Sequence, residues 1–125
     1  MPGIARFSLV ALDCRDPQLL ASFYGALTGW EVGHDGGDWV QLRSDHGATL
    51  AFQLAPDHEP PEWPSSDRPQ QVHLDFDVGD LDAAEAQVLR LGARKARHQP
   101  GKQFRVFLDP AGHPFCLVLD PELAS

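Results

Sequence analysis

The chain has 125 residues, 42% hydrophobic and 22% charged, enough for one core or for two small modules acting as one functional unit. A formal net charge of −8 at pH 7 and the absence of a Gly-rich phosphate loop argue against a nucleic-acid partner, because phosphate-tracking proteins concentrate Lys and Arg on one face. No apolar run approaches the roughly 20 residues of a membrane span, and the sequence lacks the basic-then-apolar start of an export signal, so a cytoplasmic location without a membrane partner is expected.

In chain order, Ile4 to Cys14 reads as the first strand, and Asp16 with Pro17 opens a helix running to about Thr28. Leu20, Phe23, Tyr24 and Leu27 make its apolar stripe. Trp30 to Val32 reads as a short strand, His34 to Asp38 as a turn, and Trp39 to Arg43 and Thr49 to Leu54 as the strands that complete a first module, 4–54. Residues 55–70 hold five prolines, too many for a helix or a central strand, and form a linker. Within it, Trp63 is expected either to anchor the linker or to act as a lid over a cavity.

A second module, 71–121, opens on Val72 to Val78, where Val72, Leu74, Phe76 and Val78 alternate with His73, Asp75 and Asp77. One face is core and the other polar. Asp80 caps the next helix, whose apolar positions Leu81, Ala84, Val88 and Leu91 run to Gly92. Arg94, Lys95 and Arg97 read as an exposed turn and edge strand, and VFLDPAGHPFCLVL as strand, turn, strand. The modules share one offset: Asp13 and Asp77, Asp16 and Asp80, and Leu27 and Leu91 are each 64 residues apart, which indicates an internal duplication.

LDCRDP with FYGALTGW in module one, and VHLDFDVGDLDAA with LGAR and DPAGHPFCLVL in module two, resemble the vicinal oxygen chelate superfamily of glyoxalases, bleomycin-resistance proteins and extradiol dioxygenases, and most closely its short glyoxalase-like domain proteins. The resemblance implies an α+β fold of two tandem βαβββ modules that form a cavity-enclosing mixed sheet. It also implies divalent-metal ligands at four positions, which here fall on Leu9, His73, Ala51 and Cys116. Leu9 and Ala51 cannot bind a metal, and sliding the module-one strand adds only the neutral Gln53. No metal or other cofactor is therefore expected; a divalent ion through His73 is the minor alternative. His46 and His113, beside their turn glycines, are expected to be solvent-exposed.

On the polar face of Val72 to Val78, His73 and Asp75 lie on the same side, so the carboxylate can orient the imidazole and favour its charged form, an acid/base pair. Module one has Leu9 and Ala11 at these positions, an asymmetry that suits a site. Asp13 and Asp77 are symmetric and are expected to bond turn amides instead. Cys14 and Cys116 are expected to be free, with Cys116 a buried small hydrophobe and not a nucleophile. Trp39, Gln53, Trp63, Phe107 and Cys116 are the expected ligand-contacting residues. The leading expectation is a glyoxalase-like small-molecule-binding protein, its enzymatic form a metal-independent isomerase or lyase with His73 as acid/base. A bleomycin-resistance-type binder without catalysis and a metal-dependent glyoxalase or dioxygenase-like enzyme are the alternatives. Open sheet edges lead to the expectation of a homodimer.

Overall fold

The computed structural model describes residues 3–124. The chain divides into two compact units, 1–58 and 59–125. In the first, β1 (Leu9–Cys14), α1 (Pro17–Thr28), β2 (Glu31–Asp35), β3 (Trp39–Arg43) and β4 (Thr49–Leu54) form a sheet of order β1-β4-β3-β2. In the second, β5 (Leu74–Val78), α2 (Leu81–Arg90), β6 (Arg94–Lys95), β7 (Phe104–Leu108) and β8 (Pro114–Leu119) form a sheet of order β5-β8-β7-β6, and a 3₁₀ turn follows at Pro121–Leu123. Each sheet is mixed, since its first strand pairs in parallel with its fourth and the other pairs are antiparallel. The class is α+β with a repeated βαβββ module.

The repeat is physical as well as arithmetical. Asp16 caps α1 by accepting a hydrogen bond from the Leu19 amide at 3.1 Å, and Asp80 caps α2 by accepting one from the Ala83 amide, also at 3.1 Å. α1 ends on Gly29 at φ 79°, a left-handed position that a side chain would strain. The offset grows to 65 at the later strands, as Trp39 and Phe104 open β3 and β7, and Thr49 and Pro114 open β4 and β8. One residue has been gained between helix and sheet.

In the first unit α1 buries Leu20, Phe23 and Tyr24, with the Tyr24 ring stacked on Phe52 at 5.6 Å. Leu12, Cys14, Val40, Leu42 and Leu50 are buried with them, so Cys14 is part of the core. In the second unit the helix-covered face is identified by Arg105, which reaches Asp82 and Glu85 of α2 at 2.8 and 3.2 Å. Alternation puts Phe107 on that same face, where it stacks on Phe115, and Phe76 meets Phe115 edge-on.

Several boundaries differ from expectation. β5 starts at Leu74, not Val72: its ladder begins at Leu74 opposite Phe115, and the next residue of β8 is Pro114, which has no N–H to extend it. β1 likewise starts at Leu9. β2 runs through His34 and Asp35, part of the expected turn, because a bulge between Val32 and His34 absorbs Gly33. The turn itself tightens at Gly36–Gly37, where Asp35 accepts from the Gly37 amide. Leu91 is exposed just beyond α2 and does not join the core.

Candidate functional site

The face of the second sheet turned away from α2 gathers the His73, Asp75 and Cys116 side chains. Because Asp75 is opposite Cys116 in the parallel β5–β8 register, their side chains emerge side by side. His73 stands just ahead of β5 on the same side, with Nε2 3.5 Å from Asp75 Oδ1, a charge contact wider than a good hydrogen bond. The His73 and Asp75 side chains are 46% and 56% exposed, whereas Cys116 is buried at 8%. The three ligand atoms lie within 4.8 Å of one another.

Cys116 is held as a neutral thiol. Burial pushes it up to about 11, and the negative Asp75 carboxylate, with which it hydrogen-bonds, pushes in the same direction. A thiol so shifted is a poor nucleophile at neutral pH, which agrees with its placement in a packed strand.

Trp63 of the linker packs against Ala96, Val106 and Cys116, together with Phe104 and Val118. It also lies 5.4 Å from the His98 ring. Trp63 is thus anchored on this face, against the cluster that includes Cys116. The linker is held a second time at Pro60, which sits on the Gly112 turn so closely that a Cβ there would approach its Cβ to 2.3 Å; Gly112 also has φ +94°.

Phe107 does not belong to this face. It is 0% exposed in the core beneath α2, so it offers no aromatic surface to a ligand, and that expectation is withdrawn. In the first unit Trp39 and Gln53 are opposite each other in the β3–β4 register, and the Trp39 Nε1 donates to Gln41 Oε1 at 3.4 Å. Both occupy the face away from α1, Trp39 half-buried and Gln53 exposed. Asp77, on the same side as Asp75, is exposed. His46 is exposed and pairs with Asp45, but His113 is half-buried. Its amide donates to the Oδ1 of buried Asp109, which also accepts from the Ala111 amide. Sequence reasoning missed Asp109, a turn-forming residue whose signal was the Asp-Pro-x-Gly motif itself.

Residues 9–118 match the profile of the glyoxalase-like domain. The chain belongs to the glyoxalase-like domain family, within the vicinal oxygen chelate superfamily. No curated protein matches the sequence. Among solved structures, a glyoxalase/bleomycin resistance protein from Albidiferax ferrireducens T118 is 21% identical, with 94% of this chain and 100% of that chain covered and a TM-score of 0.65. A glyoxalase/bleomycin resistance protein/dioxygenase family enzyme from Burkholderia phytofirmans PsJN is 17% identical, with coverage of 92% and 98% and a TM-score of 0.71. The bleomycin-binding protein of Streptomyces verticillus, complexed with copper(II)-bleomycin, is 16% identical, with coverage of 95% and 99% and a TM-score of 0.59. At these identities the likeness is one of fold.

The glyoxalase-like fold implies a divalent metal shared between modules, and this chain does not fit it. Of the four positions concerned, Leu9 and Ala51 carry only hydrocarbon, so module one contributes no donor there. What module two offers is different in kind: an imidazole just ahead of β5, a carboxylate on β5 and a thiol on β8.

Proposed function

We propose that this glyoxalase-like protein binds a small organic molecule on the open face of its second sheet and handles a proton there through His73. The observation that carries the reading is the His73–Asp75 contact of 3.5 Å on an exposed face. At these positions the duplicated first module has Leu9 and Ala11. A carboxylate beside one ring nitrogen can orient the imidazole for proton transfer. The chemistry this suits is isomerisation or lyase-type cleavage of a small carbonyl compound: His73 takes a proton from carbon beside the carbonyl and returns it elsewhere, while Asp75 holds the ring. Trp63, packed on the Ala96–Val106–Cys116 cluster of the same sheet, supplies an aromatic surface. No metal takes part in this step.

Binding without chemistry is the second reading. It is favoured by Trp63 on the Ala96–Val106–Cys116 surface, an apolar platform that could hold a ligand without a proton transfer.

The test is a thermal-shift screen of small carbonyl metabolites and antibiotics against the native chain and His73→Ala. A ligand at about 100 times its Kd stabilises by roughly 2.7 kcal/mol. The variant should fold as well as the native chain and lose most of that shift. If it loses about 2 kcal/mol or more of intrinsic stability yet keeps the shift, His73 is a structural residue and the reading is wrong. Turnover of a hit that vanishes in His73→Ala selects the enzyme over the binder.

A further inference from the structure

We infer that Trp63 is the specificity-determining residue of the second sheet's open face: its indole takes up the apolar half of that face and confines the ligand to a compact polar molecule seated beside β5. The inference rests on the proposed function and deepens it, since it names the class of molecule that the face accepts.

The strand registers give the face a simple plan. Asp75 is opposite Cys116, Cys116 is opposite Val106, and the Ala96 amide donates to the Val106 carbonyl at 3.1 Å. Two residues along, Asp77 is opposite Val118 and Val118 is opposite Phe104. In both rows the β5 end is polar and exposed, and the remainder is apolar. Ala96, Val106 and Cys116 are only 9%, 3% and 8% exposed although their row faces away from α2, because Trp63, Phe104 and Val118 pack against them. An aromatic ring that needed this floor would have to take the place of the indole. A compact polar molecule reaches the half-exposed His73 and Asp75 side chains without it.

The strap that carries Trp63 holds the indole in place. Pro60 sits on the Gly112 turn, the Glu62 amide donates to the Arg68 carbonyl at 2.6 Å, and the Arg68 guanidinium reaches Glu59 and Glu62, each at 3.2 Å. None of these contacts uses the indole, so truncating it opens a seat and leaves the strap where it is. An apolar vacancy of about 150 Å³ stays dry and takes up a ring the size of benzene. Trp63 therefore acts as a wall, and its bulk sets which molecules are turned away.

The probe is N-phenyl-1-naphthylamine, an uncharged molecule that fluoresces in apolar surroundings and whose naphthalene matches an indole in size. It is titrated into the full native chain and its variants, each checked for folding by circular dichroism. Trp63→Ala should bind about one equivalent, at least about tenfold more tightly than the native chain, and Trp63→Phe should stay near native. Adding Phe104→Ala to Trp63→Ala should remove most of the gain, because Phe104 lines the same seat. Val88→Ala, a core truncation in α2 on the opposite side of the sheet, should bind no better than native, which separates an opened seat from a loosened fold. Should Trp63→Ala not fold, Trp63→Val gives the same readout with part of the packing kept. The inference is overturned if the native chain binds the probe as tightly as the truncated one, if truncation brings no gain, or if the gain survives Phe104→Ala. The reading of His73 is tested by the ligand-induced thermal shift with Trp63 intact, so either can fail while the other stands.

Discussion

Gln99 replaces a missing piece of β-sheet, and removing it should be costly. The chain leaves β6 after Lys95, although Ala96 still donates to the Val106 carbonyl at 3.1 Å. Beyond that point the Gln99 carboxamide takes over the role of a peptide: Oε1 accepts from the Val106 amide at 2.9 Å, and Nε2 donates to the Ala96 and Val106 carbonyls, both at 2.8 Å. In Gln99→Ala the buried Val106 amide loses its partner, at about 1–3 kcal/mol. The Val106 carbonyl keeps its bond from Ala96, so the remaining loss is smaller, about 0.5–1 kcal/mol. The expected destabilisation is about 2–3 kcal/mol, or on the order of 10 °C in Tm for a chain of this size. Urea denaturation of native, Gln99→Ala and Gln99→Glu proteins measures it. Glutamate keeps the acceptor but sets a carboxylate against two carbonyls, so it should be at least as damaging at pH 7 and recover partly in acid. The reasoning is refuted if Gln99→Ala costs less than about 0.5 kcal/mol, the range of an indifferent surface change, or if Gln99→Glu matches native at pH 7.

Cys116 should make stability fall in alkali. Its folded thiol titrates at about 11 against an ordinary 9.0, so between these values the unfolded chain binds fewer protons than the folded one and stability falls as pH rises. The loss should reach about 2–3 kcal/mol by pH 11, and Cys116→Ala should remove that part of the pH dependence; identical profiles for the two proteins would show that the thiol is not perturbed. A homodimer is expected from the sheet edges, among them β2, exposed along its whole length. Sedimentation equilibrium checks it, and a monomer independent of concentration removes it.

The fold was legible because its signals are local and occur twice. Asp16 and Asp80 announce their helices by chemistry that depends on the next three residues alone, and both caps form as that chemistry requires. Boundaries were less legible, since they depend on partners distant in sequence: nothing in Val72 or His73 reveals that Pro114 will stand opposite and stop the ladder. Phe107 was misassigned for a related reason. In FRVFL both alternating sets are apolar except for Arg105, and a lone arginine suggests an outward face. Arg105 instead turns toward α2, where Asp82 and Glu85 neutralise it, and Phe107 goes with it into the core.

The candidate site was legible through asymmetry, and the structure sharpens what the asymmetry means. Features shared by the two modules, such as the caps, serve folding. His73, Asp75 and Cys116 are absent from the first module, whose Leu9, Ala11 and Ala51 still support a four-stranded sheet of the same order. Stability does not account for the exchange. A half-exposed His–Asp contact at 3.5 Å is screened by solvent and contributes at most about 1 kcal/mol. Cys116 meanwhile brings a thiol up against a carboxylate that resists its ionisation, where the first module has an alanine that does neither. Three polar groups gathered on one face at little gain to folding are the feature on which the proposed function rests.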